Sequence, residues 1–218
     1  MSSVVALCNL ALTRIGAQTI NDLNEASSAA RHCTALYTPT RDALLQSQAW
    51  RFARSRQALA ELSLAPGEMP SEWAHVYALP ADCLTPLYIE PSGRALAAGW
   101  GAEAIWPSET VTPPVTLRPA QATPNFEVRA GRRILTDQPE AALIYTARIE
   151  DPTRFGPLFV EALSWRLAAD LASALKGDVA RRQEALREAV TAANAARAAD
   201  AATATIRDDA DATWIRAR

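Results

Sequence analysis

The sequence predicts an α+β protein. N- and C-terminal helices form a helical bundle, a β-rich insertion interrupts it, and an extended C-terminal tail follows. Three observations lead there. Large apolar residues recur at helical spacing before residue 50 and after residue 151. Between those stretches lie short runs rich in β-branched and aromatic residues. Eleven of the 14 prolines fall between Pro66 and Pro139, where no long helical stripe appears. The resulting division is 1–50 for the first helices, 51–150 for the β-rich insertion, 151–206 for a helical hairpin and 207–218 for the tail.

Ser2 or Ser3 is positioned to cap a first helix whose buried stripe is Val5, Cys8, Leu12 and Ile15. Gly16 is placed to end it in a left-handed conformation. A polar, turn-rich stretch follows, anchored only by Ile20 and Leu23. Ser27 or Ser28 then caps a second helix carrying Cys33, Leu36, Tyr37, Leu44 and Leu45, which Pro39 is expected to kink or divide. From Trp50 the periodicity changes to alternation, so Trp50 and Phe52 are expected on one face of a strand. Each large aromatic buries about 150–250 Å², and the pair is expected to pin the helical layer to the β-rich segment as a structural hub, with Tyr77 and Pro80 beyond it.

Six runs in the middle segment read as strands: RFARSRQALA, HVYAL, PLYIE, FEVR, RRILT and ALIYTARI. VRAGRRI reads as a hairpin centred on Ala130-Gly131. Residues 91–125 read as a short Ala-rich piece followed by a Pro/Thr-rich loop. Asp151-Pro152 reopens helix, with Phe159, Leu163, Leu167, Leu171 and Leu175 every fourth residue. Gly177 ends that helix and Asp178 caps the last one, expected from Val179 to about Ala204. There Leu186 and Val190 are the few bulky contacts on an otherwise alanine-faced surface.

Composition narrows the function. Hydrophobic residues make up 49% of the chain and the net charge is −2, which offers no electrostatic reason for dedicated nucleic-acid binding. Lys176 is the only lysine, so 21 of the 22 cationic side chains are arginine. Cys8, Cys33 and Cys83 are odd in number, far apart and in apolar surroundings, and are expected to be buried thiols of a reducing compartment. No stretch has the pattern of a leader peptide or a membrane span, so a cytoplasmic site of synthesis or assembly, with no membrane partner, is the expectation.

Catalytic signatures are sparse. Phosphate-binding glycine loops, zinc-protease helices and nucleophile elbows do not occur in the sequence. Two histidines, His32 and His75, exclude a three-histidine metal site, and no catalytic, cofactor or metal residue is assigned. A Cys83–His75–Asp82 set is the best enzyme candidate, but adjacent Asp82 and Cys83 point to opposite faces of a strand. Arg51, Arg54 and Arg56 beside Trp50 and Phe52 allow a stacking surface for single-stranded nucleic acid, or arginines snorkelling over apolar neighbours.

Two blocks, residues 8–53 and 73–84, resemble the head-to-tail adaptor family of tailed phages, of the tail tubular protein A type. The likeness is carried by Asn9, Ala11, Leu12, Ile15 and Gly16, by Arg41-Asp42 with Leu44-Leu45, by Trp50, Phe52 and Ala53, and by Tyr77, Leu79, Pro80, Asp82 and Cys83. RRILT followed by ALIYTARIEDPTRFGPLFVEALSWRLAADLA continues the same order of elements, so the likeness spans most of the chain and is weakest over 90–125. The resemblance implies a non-enzymatic virion subunit, from a phage, a prophage or a gene-transfer particle. It would form a ring, typically of twelve copies, at the head–tail junction. Its implied partners are other copies of itself, the portal protein, the next tail or stopper protein, and DNA passing through the lumen without sequence readout. Trp214, Ile215 and Arg216 are then expected to dock on the portal. A tail-associated hydrolase acting on envelope polysaccharide or peptidoglycan is the alternative, and a nucleic-acid-binding regulator a third reading.

Overall fold

The computed structural model describes residues 3–63, 72–90 and 126–212. The chain is α+β and forms two compact units, one of residues 1–53 with 148–218 and the other Arg54–Ala147. The insertion expected at 51–150 is therefore three residues shorter at each end.

The helical unit contains α1 (Val4–Arg14), α2 (Ser28–Gln46), α3 (Pro157–Lys176) and α4 (Val179–Ala212). α3 is its centre and packs on the other three, whereas α1 and α2 touch only slightly. Its composition explains this role. Phe159, Leu163, Leu167 and Leu171 are buried together with Ala162, Ala168, Ala169 and Ala172, so apolar surface covers more than one side of the helix.

The end signals work as their chemistry dictates. The Ser3 hydroxyl accepts the Ala6 N–H at 3.1 Å, and that of Ser27 accepts the Ala30 N–H at 3.1 Å. After α1, Gly16 takes φ +63°, its N–H reaches Thr13 O, and Ala17 N–H reaches Leu12 O at 2.9 Å, closing a Schellman motif. The loop that follows is held by Asn9, whose side-chain carbonyl accepts the Ile20 N–H and whose amide donates to Ile20 O, both at 2.8 Å. Asn9→Ala deletes both bonds and is expected to lower the stability of this unit by about 1–3 kcal/mol. Chemical denaturation followed by far-UV circular dichroism measures that loss.

Several expectations are corrected. Pro39 does not divide α2, because the Ala35 carbonyl that loses its donor belongs to an exposed residue that water can serve. Residues 51–53 form a 3-10 turn, and the first strand begins only at Arg54. Trp50 turns the chain back here, its indole N–H donating to Leu44 O at 2.9 Å beside the Ser47 hydroxyl, which donates to the same carbonyl at 2.7 Å. Leu186 and Val190 are not the main contacts of α4. Ala185, Ala189, Ala193 and Ala196 form its buried seam, and Val190 is 61% exposed. Finally, α4 continues to Ala212, so residues 207–212 are helical where an extended tail was expected. The stretch AATATIRDDADA contains neither glycine nor proline to stop a helix begun upstream. Trp214, Ile215 and Arg216 lie outside the described residues, as does the loop 91–125.

In the other unit all six expected runs contain strands: β1 (Arg54–Ala58), β2 (His75–Ala78), β3 (Cys83–Glu90), β4 (Phe126–Arg129), β5 (Arg133–Thr136) and β6 (Ala142–Ala147). They make two antiparallel three-stranded sheets, ordered β1-β6-β3 and β2-β5-β4. β6 is central to the first and all six of its residues are buried, as ALIYTA suits. The β4–β5 hairpin turns through Ala130, Gly131 and Arg132, with φ +79° at Gly131 and +56° at Arg132. The unusual conformation of Arg132 is held on both sides, since its carbonyl accepts the Leu79 N–H at 2.8 Å and its guanidinium donates to Pro80 O.

Candidate functional site

Three constellations gather the residues singled out by the sequence. The first is an aromatic corner in the helical unit. Trp50, 1% exposed, meets Phe159 edge-on at 5.2 Å, and half-buried Phe52 meets Phe159 at 5.0 Å and Phe155 at 6.1 Å. The corner thus joins the end of α2 to the start of α3 inside one unit. Phe155 was missed, although its four-residue spacing to Phe159 was a readable signal. Beside the corner lies a notch of about 200 Å³ lined by Trp50, Phe52, Pro157, Leu158, Ala196 and Asp200. Leu158 is 44% exposed there, and the Asp200 carboxylate accepts the Arg51 N–H at 3.3 Å.

The second is a charged cluster around Arg41-Asp42. The Arg41 side chain is 5% exposed and donates through Nε and Nη2 to Asp42 Oδ1 at 2.8 and 2.7 Å. Asp42 Oδ2 accepts Arg148 Nε at 2.9 Å. One carboxylate therefore carries two guanidiniums, one deeply buried and one at the surface. Tyr37 packs against them, with the Arg41 guanidinium carbon 5.8 Å from its ring centre. Its hydroxyl is buried without a partner, and burial pushes its pKa up to about 12, the Arg41 charge opposing only in part. Arg148, invisible as a partner in the sequence, lies 106 residues from Asp42.

The third is the turn from Tyr77 to Cys83 in the β unit. Tyr77, 1% exposed, donates its hydroxyl to Gln138 O at 2.9 Å. Pro80 is buried, and its carbonyl accepts both the Cys83 N–H at 3.0 Å and the Arg132 guanidinium.

The residues weighed as a Cys–His–Asp set have other partners. His75 Nδ1 lies 2.7 Å from Glu61 Oε1, and Asp82 Oδ1 accepts the Tyr145 hydroxyl at 3.0 Å. Burial pushes the Cys83 thiol up to about 11, the opposite of what a nucleophile needs. Cys8 and Cys33 are fully buried. The hydrogen bond between them, helped by burial, raises Cys8 and keeps it a thiol. Among the described residues no three acids, histidines or cysteines are grouped to hold a metal ion, and no helix is long and apolar enough to cross a membrane. Of the arginines weighed as a basic face, Arg56 pairs with Glu90 at 2.7 Å and Arg51 lies in the 3-10 turn. Neither a family model nor a curated protein matches this chain.

Proposed function

We propose that this chain is a structural head–tail connector subunit. It forms a ring that joins the portal to the next tail protein and helps retain packaged DNA. The observation that carries this reading is where the resemblance residues lie. Asn9 and Gly16 lock the first loop. Arg41 and Asp42 form the buried ion pair, Trp50 and Phe52 the aromatic corner, and Tyr77 and Pro80 the turn of the β unit. Side chains shared with a shape-forming family are here spent on shape. The strands β1, β3 and β4 at the sides of small sheets suit pairing between repeated copies.

Electron microscopy of the full chain mixed with portal rings is the test. The expected result is a ring of added density on one face of the portal. A chain that stays solitary beside portal while hydrolysing peptidoglycan or capsular polysaccharide overturns the reading in favour of the hydrolase.

A further inference from the structure

We propose that the notch at the aromatic corner is the receiving half of the contact between neighbouring copies, and that its occupant is the Trp214-Ile215-Arg216 segment of the next copy. The notch presents an apolar floor (Trp50, Phe52, Leu158) with one carboxylate, Asp200, at its rim. The segment TWIRAR supplies the complement in order: two large apolar side chains, then Arg216 and Arg218. The volume of about 200 Å³ suits one large side chain.

The same chain cannot seat Trp214 in its own notch. Asp200 is in the notch, and α4 then continues as helix to Ala212, which carries the backbone about 18 Å away along the helix axis. Two further peptide units move the Trp214 Cα by at most about 7 Å from Ala212 in any conformation. Its indole therefore falls short. A chain with complementary knob and hole that cannot meet within one copy makes a heterologous, head-to-tail contact. Such contacts close into rings when the rotation between copies allows it. This deepens the ring reading above and rests on it for closure alone. It assigns Trp214 and Ile215 to the neighbouring subunit rather than to the portal.

The contact is tested without portal. A fluorescein-labelled peptide of residues 208–218 is titrated into the full chain carrying Trp214→Ala, which empties its own knob, with fluorescence anisotropy as readout. Saturable binding is expected, and a peptide with the same Trp→Ala change should bind at least tenfold more weakly. Ala199→Trp, which fills the notch from α4, should weaken the wild-type peptide by a similar factor. An unchanged far-UV circular dichroism spectrum shows that this receptor is folded, and Leu158→Asp offers a second blocked notch. Absence of saturable binding overturns the proposal, as does binding that neither notch variant weakens. Co-sedimentation with portal rings is read separately. A Trp214→Ala chain that binds copies of itself normally but no longer joins portal rings places the anchor on the portal and overturns this inference while sparing the connector reading. A wild-type chain that ignores portal overturns the connector reading whatever the peptide does.

Discussion

Replacing Trp50 with alanine is expected to cost the helical unit about 3–5 kcal/mol. Trp50 is 1% exposed, so nearly its whole indole is removed from packed surroundings. The edge-on contact with Phe159 at 5.2 Å and the tilted one with Phe52 at 6.1 Å are lost together. The Leu44 carbonyl also loses the indole donor at 2.9 Å, keeping that of the Ser47 hydroxyl at 2.7 Å. Trp50→Phe keeps an aromatic ring but loses the N–H and part of the indole's buried volume; it should cost less, roughly 1–3 kcal/mol. Urea denaturation of the full chain, followed by circular dichroism, gives both numbers. A Trp50→Ala chain within about 1 kcal/mol of wild type would mean that the corner is not a structural hub.

Removing Asp42 should be comparably damaging, and its effect should be asymmetric. Asp42→Ala leaves the Arg41 guanidinium, only 5% exposed, without its counter-charge, at a cost of about 3–5 kcal/mol. Arg148→Gln removes the outer partner of the same carboxylate. Its side chain is 41% exposed, so the loss should be about 0–1 kcal/mol. Arg41→Met falls between, because Asp42 keeps Arg148. Adding Arg41→Met to Asp42→Ala should restore much of the stability, since no orphaned charge then remains in the interior. The same denaturation series measures all four variants. If Arg148→Gln proves as harmful as Asp42→Ala, the buried guanidinium is not what makes the cluster costly to break.

Both variants lie at places where the sequence was only partly informative. Trp50 and Phe52 were readable as a hub from their size and position at the end of a helical pattern. Their partners, Phe155 and Phe159, lie over 100 residues later, and no local rule connects them. Arg41-Asp42 stood out only through the resemblance, and their pairing, the burial of one member and the recruitment of Arg148 depend on where the chain returns after β6. Asn9 stood out within a motif, but its grip on Ile20 emerges only when the loop folds back across α1. The six strand runs were all located, and the β4–β5 hairpin was placed on the right residues. Their sorting into β1-β6-β3 and β2-β5-β4 was not accessible, because pairing between distant strands leaves no trace in either strand alone.

By itself, then, the sequence determined the α+β class, the kind of each element and most of their ends. Those depend on forces acting within a few residues: serine caps at Ser3 and Ser27, a left-handed glycine at residue 16, and apolar spacing matched to helix or strand. The tertiary structure alone decided which faces meet. It set alanines rather than Val190 against α3, turned Trp50 back over α2, and carried α4 past its own notch to Ala212. Those choices depend on how closely helices approach and where the chain returns, and such long-range geometry is settled only when all the layers pack at once.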